Sequence, residues 1–280
     1  MPELPEVETT ARVLRQRIIG ATVAGVSHLD WPRMAPNADL ERLSTALVGR
    51  PVTSIERHGK YLFLGVEGDR WLSLHRKMTG NVIVEPAERP AAAHTHLVVD
   101  FHDGRRLAFV DPRKFGRIYL FESSGERAAF VEPRMGPDAV NDLTLPIFSE
   151  ALAKRRTCLK SLLLDQSALA GVGNLYADES LWLARLHPAR RTESLTRSET
   201  RRLHGCLQDV LLKAIERRGT SLSDYVDGDG LPGENQHHLA VYGREGQPCP
   251  RCGTLIRRQV IVQRGTWVCP RCQKQPRAQR

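Results

Sequence analysis

Four cysteines constrain this chain more than any other feature. Cys249, Cys252, Cys269 and Cys272 fall in a C-x2-C-x16-C-x2-C pattern. Each close pair lets two thiolates reach one tetrahedral ion, and four thiolates leave no coordination position open. The spacing therefore predicts one structural Zn2+ and no catalytic metal. Thiols bind metal in this way in a reducing compartment. The first residues are acidic and proline-rich, which does not suit a secretory signal. No apolar run approaches the length of a membrane span. The expected location is the cytoplasm, with no membrane partner. Cys158 and Cys206 lie in helical patterns and read as buried core thiols rather than nucleophiles. Between the cysteine pairs, residues 257–268 read as a β-hairpin with Arg264 on its turn. A basic hairpin tip on a zinc ribbon suits a nucleic-acid groove.

Charge points the same way. Residues 1–150 carry 19 Lys+Arg against 20 Asp+Glu, a net charge of −1. Residues 151–280 carry 22 against 12, a net charge of +10. A strongly basic half predicts a polyanionic partner, although a solvated basic surface has the same composition.

At the other end the chain begins Met1-Pro2-Glu3-Leu4-Pro5-Glu6-Val7-Glu8. Leu4, Val7, Ala11, Leu14 and Ile18 recur at steps of three and four, the period of an amphipathic helix. Pro5 suits the first helical position, and Glu6 and Glu8 suit the positive end of the helix dipole. One reading of this start is a well-capped helix and nothing more. The other begins with removal of Met1. Pro2 would then present a secondary amine, and α-amino groups titrate near ~8. The helix dipole further disfavours its protonated form. A neutral amine can attack a sugar C1′ and form a Schiff-base iminium, with Glu3 moving protons beside it.

The middle of the chain changes character once. Short strands are predicted at residues 52–55, 61–66, 71–75, 81–84, 96–101, 106–110 and 117–121, separated by Gly-, Pro- and charge-rich turns. This spacing argues for a β-sandwich with the first helix packed on it. Lys60, taken alone, reads as a surface lysine. Met78 follows His75-Arg76-Lys77 and reads either as core or as an exposed wedge. The turn Asp111-Pro112-Arg113-Lys114-Phe115-Gly116 presents Arg113 and Phe115 together, as a protein would if it pushed apolar side chains between base steps. Beyond the proline-marked linker at 132–137 the pattern is helical, at 147–153, 157–164, 175–184 and 199–217. Gly171-Val172-Gly173-Asn174 precedes the third of these helices. It reads either as a Gly-rich turn with Asn174 as N-cap or as a nest for a phosphate. Residues 218–233 are polar, Gly-rich and long for a connection, so they are either functional or disordered.

Together these motifs resemble the formamidopyrimidine-DNA glycosylase family of bacteria, along the whole chain. The resemblance rests on the opening octapeptide, Gly59-Lys60-Tyr61-Leu62, residues 111–116, Asp165-Gln166 through Ala177, Val241-Tyr242-Gly243-Arg244 and the cysteine pairs around Arg264. It implies an α+β multidomain fold. Residues 1–132 would form a two-layer β-sandwich carrying the N-terminal helix. Residues 133–238 would form a helix–two-turns–helix domain, with a lesion-capping loop at about 220–232. Residues 239–280 would form a zinc ribbon. It implies a monomeric, DNA-associated base-excision enzyme whose partner is double-stranded DNA containing oxidised purines or abasic sites. That enzyme would remove 8-oxoguanine and formamidopyrimidines and then cut the strand by β,δ-elimination.

The resemblance also assigns roles. Pro2 is the nucleophile and Glu3 the proton shuttle, while Lys60 and Arg264 hold phosphates at the reacting nucleotide. Met78, Arg113 and Phe115 fill the gap left by the extruded base, with Arg113 facing the orphaned cytosine. His75, Asn174 and Tyr242 contact DNA. His94 and His96 lie in a stretch the family uses near DNA. Thr220, Ser221, Leu222, Ser223, Asp224 and Tyr225 begin the capping loop. The chain departs from the family where Arg76-Lys77 precede Met78, since small residues are common there. Two extra cations would add phosphate contact or shift the wedge. Two alternatives share these features: the endonuclease VIII-like branch acting on oxidised pyrimidines, and a nucleic-acid-binding protein without catalysis. Pro2-Glu3 argues against the second, and the Arg113/Phe115 pair with the long loop against the first.

Overall fold

The computed structural model describes residues 2–275. It divides into two compact units, one reaching Pro133 and including Ile215–Gln236, the other comprising Arg134–Ala214 and the chain from His237 onward. The first unit opens with helix α1 (Leu4–Ile18). Its apolar stripe, Leu4, Val7, Ala11, Leu14 and Ile18, is at most 1% exposed. Each large aliphatic side chain buried this way contributes about 1.5–3 kcal/mol. Pro5 takes the second helical position rather than the first, which Leu4 occupies. The cost is nil, because first-turn N–H groups have no intrahelical acceptor.

Eight strands follow: β1 (Val23–Leu29), β2 (Val52–His58), β3 (Tyr61–Val66), β4 (Arg70–His75), β5 (Asn81–Pro86), β6 (Thr95–Phe101), β7 (Arg105–Val110) and β8 (Arg117–Phe121). They pair antiparallel in two sheets, β1-β6-β7-β5 and β2-β3-β4-β8. Both sheets and α1 contribute to a shared core that includes Val7, Leu14, Leu64, Leu74, Val99 and Phe109. The seven expected strands are all present. Strand β1 escapes sequence reading because its register shifts twice against β6, which breaks the two-residue alternation. Two short helices escape it as well, α2 (Leu40–Leu47) and α3 (Ser124–Val131). The Asp39 side chain caps α2 and Ser123 caps α3. Phe130 of α3 packs on Tyr61, Tyr119 and Phe121, so the middle strands of that sheet are apolar on both faces.

The second unit is built from α4 (Leu145–Lys154), α5 (Leu159–Leu164), α6 (Asn174–Leu183) and most of α7 (Arg197–Glu216). Helix α5 starts later than its apolar pattern because Cys158 is extended and bridges to Arg191. Cys158 and Cys206 are half-buried, not core thiols. Two turns join α5 to α6, pinned by Gln166: its carbonyl oxygen accepts from Gly171 N–H at 3.0 Å and its amide donates to Val172 O at 2.8 Å. The hairpin β9 (Arg257–Ile261) and β10 (Arg264–Val268) completes the unit. Its two-residue turn is Val262-Gln263, both left-handed with φ of +45° and +58°. Arg264 therefore opens β10 opposite Ile261 instead of lying on the turn.

Candidate active site and nucleic-acid interface

The N-terminal segment is held rather than loose. Pro2 is buried and Glu3, the N-cap of α1, is 4% exposed. The Glu6 carboxylate accepts the Glu3 N–H at 2.8 Å through Oε2. Its other oxygen, Oε1, accepts the Thr220 N–H at 2.8 Å. One buried side chain thus fixes the residue after Pro2 and the start of the 220–232 loop. By its position in the sequence Glu6 is only a favourable first-turn acid. Glu8 sits two residues on, on another face of α1, where Arg57 and Arg15 donate to it at 2.8 and 3.0 Å. Burial raises its pKa, but these two cations prevail and hold it below the ordinary carboxylate value.

Lys60 lies in the β2–β3 turn and is only 9% exposed, so the surface reading fails for it. Its neighbour Tyr61, in β3, packs edge-on against its β4 partner His75 with ring centroids 4.3 Å apart. Burial, then Lys77 and Lys60, push the His75 pKa down to about 3. The Lys77 N–H donates to His75 Nδ1 at 3.0 Å. The neutral imidazole therefore carries its proton on Nε2, where it can donate to a phosphate.

Two loops carry the expected wedge, and Asp111 links them. Its Oδ1 accepts from the Thr79 hydroxyl and, at 3.3 Å, from the Arg113 N–H, while Oδ2 accepts from Gly116 N–H at 2.7 Å. Gly80 and Gly116 both press on Phe109, where a Cβ would come within 2.8 and 2.7 Å of the ring. Seated on this base, Met78 and Phe115 remain 41% and 44% exposed. The Arg113 guanidinium lies 4.7 Å from the Phe115 ring centroid. His94 is exposed with φ +66°, and its carbonyl accepts from Asp111 N–H at 2.9 Å. His96 is not a phosphate contact: it is 2% exposed, within 2.7 Å of Asp30 Oδ1 and 3.0 Å of Asp111 O. Arg76 is 1% exposed and equally removed from phosphate, while Lys77 is half-buried.

The loop at 220–232 is ordered and anchored. Ser221 N–H donates to Gln236 at 3.0 Å, and the Ser221 hydroxyl donates to Tyr225 O at 2.8 Å. Val84 N–H of the edge strand β5 donates to Gly228 O at 2.8 Å. Thr220 and Tyr225 are buried, whereas Leu222, Ser223 and Asp224 project, with Leu222 58% exposed.

In the second unit, Gly173 rather than Asn174 is the N-cap of α6. The Asn174 amide donates to Gly265 O at 3.0 Å, beside Arg264. Buried Lys160 reinforces this contact, donating to Asp178 Oδ1 at 2.7 Å, Thr266 Oγ1 at 2.7 Å and Gly265 O at 3.1 Å. Glu179 accepts the N–H groups of Ala240, Val241 and Tyr242 at 2.8 to 2.9 Å. The Tyr242 ring rests 4.4 Å from Trp267. Asn174, Tyr242 and Arg264 are thus gathered around the finger by Lys160, Asp178 and Glu179, three buried ionisable side chains whose partners lie too far along the chain for sequence spacing to reveal; burial raises the pKa of both carboxyls.

The ligand atoms of Cys249, Cys252, Cys269 and Cys272 lie within 4.8 Å of one another. Sulfur pairs stand 3.5 to 4.0 Å apart. Zn–S bonds of ~2.3 Å in a tetrahedron require about 3.8 Å between sulfurs. The four cysteines fit one structural zinc.

Three family descriptions match the chain in sequence: the formamidopyrimidine-DNA glycosylase N-terminal domain over residues 1–118, the formamidopyrimidine-DNA glycosylase H2TH domain over 135–226, and a zinc finger found in FPG and IleRS over 246–275. The formamidopyrimidine-DNA glycosylase of Heliobacterium modesticaldum is 48% identical, covering 98% of this chain and 100% of its own. That of Herpetosiphon aurantiacus is 46% identical with the same coverage. Lactococcus lactis Fpg, solved with DNA containing an abasic site, superposes with a TM-score of 0.90 at 36% identity, over 98% of this chain and 100% of that one. Thermus thermophilus MutM (Fpg) gives 0.86 at 43% identity, again over 98% and 100%. An N-terminal helix on a β-sandwich, two helices joined by two turns and a four-cysteine ribbon define a DNA-repair glycosylase architecture. The chain belongs to the formamidopyrimidine-DNA glycosylase family.

Proposed function

We propose that this protein is a bifunctional DNA glycosylase and abasic-site lyase of base-excision repair, acting on oxidised purines in double-stranded DNA as a monomer in the bacterial cytoplasm. The observation that carries the reading is the buried Pro2-Glu3 start, with Glu3 N–H held by Glu6 at the positive end of α1. Once Met1, which lies outside the described residues, is gone, Pro2 is a secondary amine. The dipole favours its neutral, nucleophilic form.

The base pair must first open, because stacking hides C1′; extrusion costs a few kcal/mol. Met78 and Phe115 occupy the vacated space, and Arg113 hydrogen-bonds the orphaned cytosine. Lys60, His75, Asn174, Tyr242 and Arg264 bind the phosphates around the lesion. Pro2 N attacks C1′, the C1′–N9 bond breaks, and the purine leaves with its electron pair and a proton. The C1′–O4′ bond then opens, O4′ taking a proton that Glu3 shuttles, and the C1′=N+ iminium that forms acidifies the C2′ hydrogen. Loss of that proton, which Glu3 shuttles, expels the 3′ phosphate, and a second elimination expels the 5′ phosphate. Zinc takes no part in these steps; its thiolate site shapes the finger that carries Arg264.

Borohydride reduction on a duplex with 8-oxoguanine opposite cytosine tests this. The expected product is a covalent protein–DNA adduct whose protein mass lacks Met1. Absence of an adduct, or normal trapping and turnover by Pro2→Gly, refutes the assignment.

A further inference from the structure

Arg76 is the largest fully buried side chain of the described residues, and it bonds to three segments of the first unit: α1, residues 80–81 and the loop at Val226. Its Nε donates to Gly80 O at 2.6 Å. Its Nη1 donates to Thr10 Oγ1 of α1 at 2.8 Å. Its Nη2 donates to Asn81 Oδ1 and, at 3.0 Å, to Val226 O. The guanidinium also lies 4.9 Å from the centroid of the Tyr225 ring. These acceptors are neutral, and the negative charges of Glu6 and Asp227 act on it from farther away. A guanidinium stays charged, so burying it is tolerated only while its acceptors remain in place.

Two of those partners, Val226 O and the Tyr225 ring, belong to the capping loop. Asn81 adds to the same limb: its amide donates to Asp224 O at 2.7 Å and its carbonyl accepts from Val226 N–H at 3.3 Å. The other limb is held separately, by Glu6 on Thr220 N–H. We infer that Arg76 is a positioning residue for base excision, a latch that holds the 224–226 limb of the loop closed through Val226 O and the Tyr225 ring. Swinging this limb away would leave a buried cation short of acceptors, so the closed arrangement is favoured. The Arg76 carbonyl accepts Gly80 N–H at 3.0 Å, so the same residue also closes the turn that carries Met78. Loop and wedge are seated together.

The inference rests on the proposed function, because it takes the projecting tip Leu222-Ser223-Asp224 to face the extruded base. An abasic site has no base for the loop to enclose. Base excision should therefore depend on the latch, and abasic-site incision should not. The test compares Arg76→Met, which keeps volume without donors, and Arg76→Lys, which keeps charge but cannot reach Thr10 and Val226 together. Single-turnover rates are measured on 8-oxoguanine and on abasic duplexes, with amide hydrogen exchange over 220–233 of the free protein. Both variants should lose about tenfold in excision relative to their own abasic-site incision, the worth of a lost charge-assisted hydrogen bond. Exchange at 224–228 should accelerate. An unchanged ratio, a parallel fall of both rates, or unchanged exchange overturns the latch. Failure of the wild-type protein to trap on either duplex refutes the proposed function instead, and the exchange measurement, which needs no activity, still decides the latch.

Discussion

Glu6 accepts the backbone N–H of Glu3 through one carboxylate oxygen and the backbone N–H of Thr220 through the other, each at 2.8 Å. The candidate nucleophile's neighbour and the 220–232 loop are therefore set by a single buried group. An amide at position 6 has one acceptor oxygen, and its NH2 would face a donor. Glu6→Gln should cost ~1–3 kcal/mol at that contact. Both base excision and abasic-site incision should slow, in contrast to the Arg76 variants, and single-turnover rates on the two duplexes distinguish the two behaviours.

Asp111 organises the wedge without being part of it. Asp111→Asn replaces one carboxylate oxygen with NH2 and sets a donor against Gly116 N–H or against Thr79 and Arg113. It should lower discrimination among bases opposite the lesion in the same direction as Arg113→Ala, with a stability loss of about 1–3 kcal/mol. Excision rates opposite each of the four bases, with a thermal melt, check this.

His75 predicts a pH dependence. The folded protein holds it neutral down to about 3, whereas its ordinary value is 6.5. Between those values the unfolded chain binds the extra proton, so stability falls as pH drops through that window. His75→Gln should flatten this part of the profile in denaturant titrations. An NMR titration should show no protonation of His75 near pH 6.5.

Lys160 and Asp178 are both 0% exposed and bonded to each other at 2.7 Å. Burial already raises the Asp178 pKa to about 7 against the opposing pull of Lys160, so Lys160→Met leaves the buried carboxyl without its cation and should cost ~3–5 kcal/mol above that pH, measured by denaturant unfolding. It also removes the donor to Gly265 O and Thr266, so DNA affinity should fall with stability.

Cys249→Ser should abolish stoichiometric zinc, because three thiolates hold the ion less well than four. The finger hairpin should lose order and the DNA Kd rise by about tenfold or more at moderate salt. Metal analysis and a binding titration test this; full affinity with full metal content would refute the structural role of zinc.

Much of this molecule was legible in the residues themselves. The α1 stripe, seven strands, four helices and the cysteine quartet follow from periodicity, turn chemistry and metal-ligand spacing, because each depends on neighbours close in sequence. Local pattern failed where two bulges broke the alternation of β1 and where α2 and α3 were short. The motif residues Pro2, Glu3, Arg113, Phe115 and Arg264 stand out by chemistry and position. What holds them does not: Glu6 reaches Thr220, Asp111 reaches Thr79, Lys160 reaches Thr266 and Arg76 reaches Val226 across 32 to 214 positions of chain. A buried charge is stable only where the fold delivers its acceptors, and which acceptors arrive is decided by packing. By itself the sequence determined which groups could do chemistry. Only the tertiary structure decided that Lys60 and Arg76 are buried, that His96 is a strut rather than a phosphate contact, and that the 220–232 loop is fastened at both limbs.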